Sequence, residues 1–392
     1  MISKISSCEI CGSKDLVEVL NLGYHPLCDD LIKIGKSNIC LEFPIVILFC
    51  EKCNSAHQKY QVPKNILFPD SYHYRSKATG VVLGGMQNLV NDYIKKHGSL
   101  LDLKVLDIGC NDGGLLDFFK EKGAKTFGIE PTGAAIEAMK KHKVIKDYFD
   151  RESAKFIKIN FGKIDIITFT NVFAHIEDLE SLIRNLRLIM SDSTILIIEN
   201  HYLGSILKKN QFDTFYHEHP RTYSLKSFIE IANKLNRNIS DLEFPGRDGG
   251  NIRVFISSKK PLKRLDENID FLGLFRELKF DLVTWTTNKR MELENLRKEY
   301  GPLPAKAFPG RASILIKLLG LSEKHISAVY EIKGSIKTGH YVPGTRVPIL
   351  PESKLFQLKE QKPIINLAWH IPKAVRKNLF ENNYRAEVID IK

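Results

Sequence analysis

Two pairs of cysteines open the list of residues able to do chemistry: Cys8-Glu-Ile-Cys11, followed by Gly12, and Cys50-Glu-Lys-Cys53. Each C-x-x-C places two thiolates on one tight turn. Two such knuckles brought together make a closed tetrahedral site, the geometry zinc prefers and one that leaves no open position for catalysis. Redox use of a C-x-x-C explains one pair but not two, so the pattern predicts a structural zinc held by Cys8, Cys11, Cys50 and Cys53. Six of the seven cysteines lie in the first 53 residues. Disulfides would need an oxidising compartment, and the start of the chain, Met1-Ile2-Ser3-Lys4, carries no secretory pattern. Cys28 and Cys40, on the insert between the knuckles, read as small buried hydrophobes.

A second set of residues surrounds Asp107-Ile-Gly109-Cys-Asn111-Asp112-Gly113-Gly114. This run follows a short apolar strand and opens a helix, where glycines let backbone N–H groups approach a ligand. It lacks the third glycine of a dinucleotide loop. Its acids, Asp107 and Asp112, would repel a pyrophosphate but suit the ammonium and sulfonium of S-adenosylmethionine, so NAD is the weaker alternative. Glu130, followed by Pro131, ends the next strand, where a carboxylate accepts from both ribose hydroxyls. Asp147 is expected at the adenine amino group, with Phe149 against the ring.

Further candidates follow later strands, where an open α/β sheet binds its ligands. They are Asn171 to His175 and the run Phe212-Asp-Thr-Phe-Tyr216-His217-Glu218-His219. A histidine beside a carboxylate suits a general base, and a tyrosine hydroxyl can donate to a developing oxyanion. Metal ligation by His217 and His219 lacks an identifiable third ligand. Capping or core histidines are the bland alternative.

These residues need a scaffold of alternating strands and helices. Lys104 to Ile108, Thr126 to Glu130, Asp165 to Thr170 and Thr194 to Glu199 read as strands, and Met86 to Lys96, Leu115 to Lys122 and Leu179 to Met190 as helices. The alternation predicts βαβ units and a doubly wound parallel sheet with helices on both faces, Asn251 to Ser257 adding a late strand. Residues 265–300 are charged with helical periodicity. Strand candidates follow at His325 to Ile332 and Pro363 to Ala368, separated from that helix by a glycine turn and the helix ending at Leu319. The expected division is a zinc-binding domain at 1–70, a Rossmann-like methyltransferase domain at 71–260 and a Rossmann-like α/β substrate-binding domain at 261–392.

The chain has 392 residues, 43% hydrophobic and 27% charged, values of a folded protein that exclude intrinsic disorder. No apolar run approaches the ~20 residues that cross a bilayer. The expectation is a cytoplasmic protein with no membrane partner. The net charge of +12 is spread among acids without dense basic blocks, so no nucleic-acid partner is expected. The oligomeric state is left open, a monomer included.

Taken in order, the motifs resemble the three-domain deoxysugar C-methyltransferases, which act on nucleotide-diphosphate-linked keto-sugars. The resemblance spans nearly the whole chain: both knuckles with Leu20 to Leu27 between them, Tyr72-x-Tyr74-x-Ser76, the 107–114 loop, Asn171 to His175, Tyr216 to His219, and Pro343 to Ile349. It implies His219 as the base, with Glu218, Tyr216, His175 and Tyr72 or Tyr74 around a nucleotide-sugar substrate, and a C-terminal domain that closes over it. The sequence departs from the family pattern at Asp248-Gly-Gly-Asn251, at Arg311 and at Trp369-His370, all on the substrate side. The expected reaction is α-proton abstraction followed by methyl transfer to the enolate. Sugar O- or N-methylation, a zinc-bearing nucleic-acid-binding methyltransferase and a non-catalytic sugar-nucleotide subunit are the alternatives.

Overall fold

The computed structural model describes residues 2–78, 80–263 and 266–392, with the side chains of Ala78 and Asp248 outside the described set. The chain forms two compact units, each assembled from several segments. The first comprises Met1–Glu18, Leu48–Lys209 and Glu218–Phe271, and the second Val19–Ile47, Asn210–His217 and Leu272–Lys392.

The first unit is built on a seven-stranded sheet. Its strands are β1 (Lys104–Ile108), β2 (Lys125–Ile129), β3 (Lys143–Ile145), β4 (Ile166–Thr170), β5 (Ile195–His201), β6 (Asn238–Glu243) and β7 (Asn251–Ser257), in the spatial order β6-β7-β5-β4-β1-β2-β3. β1 to β5 run parallel. β7 is antiparallel to both β5 and β6, so the late strand joins the sheet in the opposite sense to that expected. The reversal follows from its connection: β6 and β7 are joined by a short loop, too short for the crossover a parallel neighbour needs.

The strands are apolar on both faces because both are covered. Leu106, Ile108, Ile167, Phe169, Leu196 and Ile198 pack with the helices Arg151–Asn160, Leu179–Ile189 and Leu225–Lys234. The alternate residues Val105, Ile166, Ile195 and Ile197 meet the helices Gly80–His97 and Gly114–Glu121 on the other side. The cysteine knuckles belong to the first of these cores: Cys8, Ile10, Cys50 and Cys53 are all buried within it.

The second unit carries a parallel five-stranded sheet in the order β10-β9-β8-β11-β12, from β8 (Leu303–Lys306), β9 (Ile326–Glu331), β10 (Ile349–Pro351), β11 (Ile364–Asn366) and β12 (Val388–Asp390). A helix at Phe271–Tyr300 precedes it. β10 and β12, three residues each, are too short to show a strand period. The architecture is thus α/β, with two Rossmann-like sheets and the knuckle segment packed on the first.

Candidate functional site

The knuckles meet as their spacing predicts. One ligand atom from each of Cys8, Cys11, Cys50 and Cys53 lies within 4.8 Å of the others, the one such cluster among the described residues. Cys8 Sγ is 3.5 Å from Cys53 Sγ, and Cys11 Sγ is 3.5 Å from Cys50 Sγ. Four sulfurs at about 2.3 Å from a zinc ion would be separated by roughly 3.8 Å, so the four thiols fit the metal. Gly12, at φ +76°, turns the first knuckle so that its N–H donates to the Cys8 carbonyl at 2.8 Å. Burial pushes the Cys50 thiol up to about 11, a cost that a divalent cation would offset by holding it as thiolate. His57 Nε2 approaches Cys8 Sγ at 3.3 Å, and Ser55 Oγ approaches Cys53 Sγ at 3.0 Å, giving the sulfurs partners beyond the metal.

At the C-terminal end of β1 the chain turns sharply. Gly109 has φ +75°, and a Cβ there would stand 2.5 Å from Val172 Cγ1, so only glycine fits. Asn111 takes the left-handed φ of +49°, which aims its N–H at Glu130 Oε2, 2.9 Å away. Glu130 Oε1 accepts from the Thr132 N–H and hydroxyl at 2.9 and 2.6 Å, locking the carboxylate at the tip of β2 beside Pro131. Asp107 is almost fully buried and accepts from Thr168 Oγ1 at 2.6 Å. That burial, with Glu130 nearby, lifts its carboxyl to about 7 despite the hydrogen bond.

The tyrosine-rich segment closes against this loop. Asp112 accepts from Ser76 Oγ at 2.5 Å and from Lys77 N–H at 2.9 Å, while Asn111 Oδ1 accepts from Ser76 N–H at 3.0 Å. Asp112 therefore anchors the 76–77 turn, a use of its charge that the sequence reading did not anticipate. Gly113, at φ +80°, caps the helix Gly114–Glu121. Asp147 is exposed and accepts from its neighbour's N–H. Phe149 packs against the core beneath.

The ends of β4 and β5 bring up the remaining candidates. Asn171, at φ +55°, donates its N–H to the Glu199 carbonyl at 2.7 Å, and its Oδ1 accepts from Asn251 Nδ2 at 3.3 Å. Beneath it the fully buried Glu199 binds Arg247 Nε at 2.5 Å and Arg253 Nε at 2.7 Å. Four rings form a column at the edge of the sheet. Phe68 stacks on His175 with centroids 5.1 Å apart, His175 on His219 at 5.1 Å and 21°, and His201 lies 5.4 Å from His219. Burial holds the His175 imidazole well below its ordinary range, and His219 adds to this. Tyr72 donates its hydroxyl to Glu218 Oε2 at 2.9 Å. Tyr74 is 43% exposed and its carbonyl accepts from Asn111 Nδ2 at 3.2 Å.

Tyr216 and His217 fall in the second unit. His217 Nε2 lies 3.0 Å from the Phe43 carbonyl, and burial lowers its imidazole to about 4. It is a core histidine with a fixed backbone partner. In the same unit Asp213, fully buried, accepts from Trp369 Nε1 at 2.9 Å and faces Arg311 at 3.4 Å. The two departures at Arg311 and Trp369 therefore share one carboxylate.

His201, Phe68 and Glu199 were missed by the sequence reading. His201 and Glu199 carried one usable signal, their position at the end of a strand whose neighbour ends in Asn171. Phe68 carried none.

Comparison with known families agrees with this geometry. Residues 8–68 match a model described as a zinc binding domain, residues 82–240 a methyltransferase domain, and residues 248–386 a C-methyltransferase C-terminal domain. The chain is an S-adenosylmethionine-dependent methyltransferase with a zinc-binding module. Over its full length it is 23% identical to the C-methyltransferase NovU of Streptomyces niveus, covering 93% of that protein. A ubiquinone biosynthesis O-methyltransferase of Actinobacillus pleuropneumoniae is 28% identical over 118 residues, 27% of this chain and 49% of that protein. Among solved structures, magnesium protoporphyrin IX methyltransferase of Synechocystis PCC 6803 with bound SAH aligns over 45% of this chain and 84% of its own, at 17% identity and a TM-score of 0.36. No helix among the described residues is long and apolar enough to cross a membrane.

Proposed function

We propose that this methyltransferase alkylates carbon, at the position next to the ketone of a nucleotide-diphosphate-linked deoxysugar. The observation that carries the reading is the imidazole column, with His219 between His175 and His201 and the Tyr72–Glu218 pair one residue away. A ketone α-carbon is a weaker acid than a sugar hydroxyl or an ammonium group, so carbon transfer makes the larger demand on a placed base and also needs an oxyanion donor. The full-length similarity to a C-methyltransferase and the C-methyltransferase C-terminal match support the same reading.

S-adenosylmethionine, when bound, supplies a methyl group whose S–C bonding pair returns to sulfur on transfer. In this reading Asp107 faces the cationic end of the donor, Glu130 holds the ribose hydroxyls, and Asn111, Gly113 and Asn171 line its path. Asp147 and Phe149 stand at the adenine, with Asp147 exposed for that contact. His219 removes the α-proton, and the C–H electron pair passes into the enolate. Tyr72, held by Glu218 in the structure, turns its one O–H from that carboxylate to the developing oxyanion, and His175 keeps the base's ring in place. The enolate carbon then forms the new C–C bond.

The test is incubation with S-adenosylmethionine and a panel of nucleotide-linked keto-sugars in D2O, read by mass spectrometry. Wild type is expected to add a methyl group and to exchange the α-proton, and His219→Ala to do neither. Methyl addition without exchange in wild type would assign O- or N-transfer instead. Exchange that persists in His219→Ala would move the base elsewhere.

A further inference from the structure

The zinc knuckle is joined to both catalytic histidine candidates through one buried arginine. Arg221 lies two residues after His219 on the short strand Arg221–Thr222, which pairs antiparallel with Ser55–Gln58, placing Arg221 opposite His57. Gln58 N–H also donates to the Pro220 carbonyl at 2.8 Å. The Arg221 side chain is fully buried and reaches in two directions. Toward the knuckle, its Nη1 meets Glu9 Oε2 at 2.8 Å. Glu9 sits between the first two cysteines in sequence, and the same oxygen lies 3.5 Å from His57 Nδ1. Toward the sheet edge, Nη1 donates to the Glu177 carbonyl at 3.3 Å and Nε to Tyr223 Oη at 3.2 Å. Tyr223 in turn donates to the Phe173 carbonyl at 3.4 Å. Phe173 and Glu177 bracket His175 on the short helix Phe173–His175 and the turn after it.

A buried guanidinium with one carboxylate partner is held for geometry more than for net stability, because desolvation offsets much of the ion-pair attraction. Its planar donors can fix several acceptors at once. We propose that Arg221, anchored on Glu9 of the zinc knuckle, is a positioning residue that sets the spacing of His175 and His219. The metal-binding module then acts on catalysis through this link, without contacting substrate. The proposal rests on the reading of His219 as the base.

The experiment uses the full-length, zinc-loaded protein and three variants, Arg221→Met, Arg221→Lys and Glu9→Gln. Four quantities are read: zinc per chain, affinity for S-adenosylmethionine, kcat and KM for the keto-sugar, and the imidazole NMR resonances of His175 and His219. Expected are zinc content and donor affinity equal to wild type, an altered pair of resonances, and a kcat lowered about 100-fold in Arg221→Met with KM little changed, the size of loss that a displacement of roughly an ångström brings. Arg221→Lys should recover part of the rate, and Glu9→Gln, nearly isosteric, should reproduce part of the loss. Wild-type resonances and kcat in zinc-replete Arg221→Met and Glu9→Gln would overturn the proposal. Loss of zinc from Glu9→Gln would also overturn it, by making the link a metal-retention device. Should Arg221→Met fail to fold, Glu9→Gln decides alone. If wild type methylates no keto-sugar, the functional reading fails while the two resonances still decide whether Arg221 spaces the histidines.

Discussion

At the residue scale, the proposed donor site gives separate tasks to its individual carboxylates. Asp107, lifted to about 7 by burial, is protonated in the ligand-free protein at pH 6. A folded pKa above the unfolded value means the group contributes stability below about pH 4 that is lost as pH rises through 7. A cationic donor favours the ionised form, so S-adenosylmethionine should bind more weakly as pH falls from 8 to 6 and should release protons on binding at pH 6. Calorimetry in two buffers of different ionisation enthalpy checks this; pH-independent binding without proton release would remove Asp107 from the donor site. Glu130→Ala should weaken donor affinity about 10- to 100-fold, because a charge-assisted hydrogen bond is worth roughly 1.5–3 kcal/mol. The tyrosines should separate as their environments do. Tyr72→Phe loses the hydroxyl that meets Glu218 and should lower kcat, while Tyr74→Phe should leave it within about twofold.

At the element scale, the loop after β1 works because its backbone takes conformations that side chains oppose. Gly109→Ala would combine a left-handed φ with a collision against Val172. It should cost about 1–3 kcal/mol of stability and lower donor binding, both measurable by thermal unfolding with and without the donor. The end of β5 depends on a buried charge in the same way. Glu199 is the shared acceptor of Arg247 and Arg253 and lies directly under Asn171. Glu199→Gln gives the buried Arg247 guanidinium a neutral partner, whereas Arg253 keeps Asp92 and Glu243, and breaking a buried pair of this kind costs about 3–5 kcal/mol. Denaturant unfolding should record that loss. A change under 1 kcal/mol would mean that water or another acid already neutralises Arg247.

At the scale of the whole molecule, chain segments distant in sequence are sewn into each compact unit. The knuckles at Cys8–Cys11 and Cys50–Cys53 share a core with the sheet of the first unit, so metal removal should be felt well beyond them. Cys50→Ser, or prolonged chelation, should lower the unfolding temperature and merge with loss of activity. Full activity of zinc-free protein would reduce the module to an appendage.

How much of this was legible beforehand differed by element. The parallel strands announced themselves as apolar runs with helices between, since strands buried on both faces must be continuously apolar. β10 and β12 were invisible, because three residues cannot display a period and, unlike the equally short β11, neither sits in a longer apolar run. The antiparallel sense of β7 was also hidden, since direction is set by the length of a connection rather than by the strand's own residues. Within the candidate site, geometry set by a local motif was readable: both C-x-x-C turns, the glycine turn of the loop, and the place of Glu130 at a strand end. Residues that act by reaching across the fold were not. Phe68 stacks on His175 and Arg221 grips Glu9 only because pairing and packing bring remote segments together.

The sequence alone determined the two C-x-x-C turns and the glycine turn after β1, since each depends on residues a few positions apart, where covalent geometry already dictates the spacing. Tertiary structure decided that the Tyr72 hydroxyl meets Glu218, that Asp112 anchors the 76–77 turn, and that His201 joins the histidine column. Those outcomes turn on contacts between residues far apart along the chain, whose distances are set by the packing of the sheet and not by any local rule.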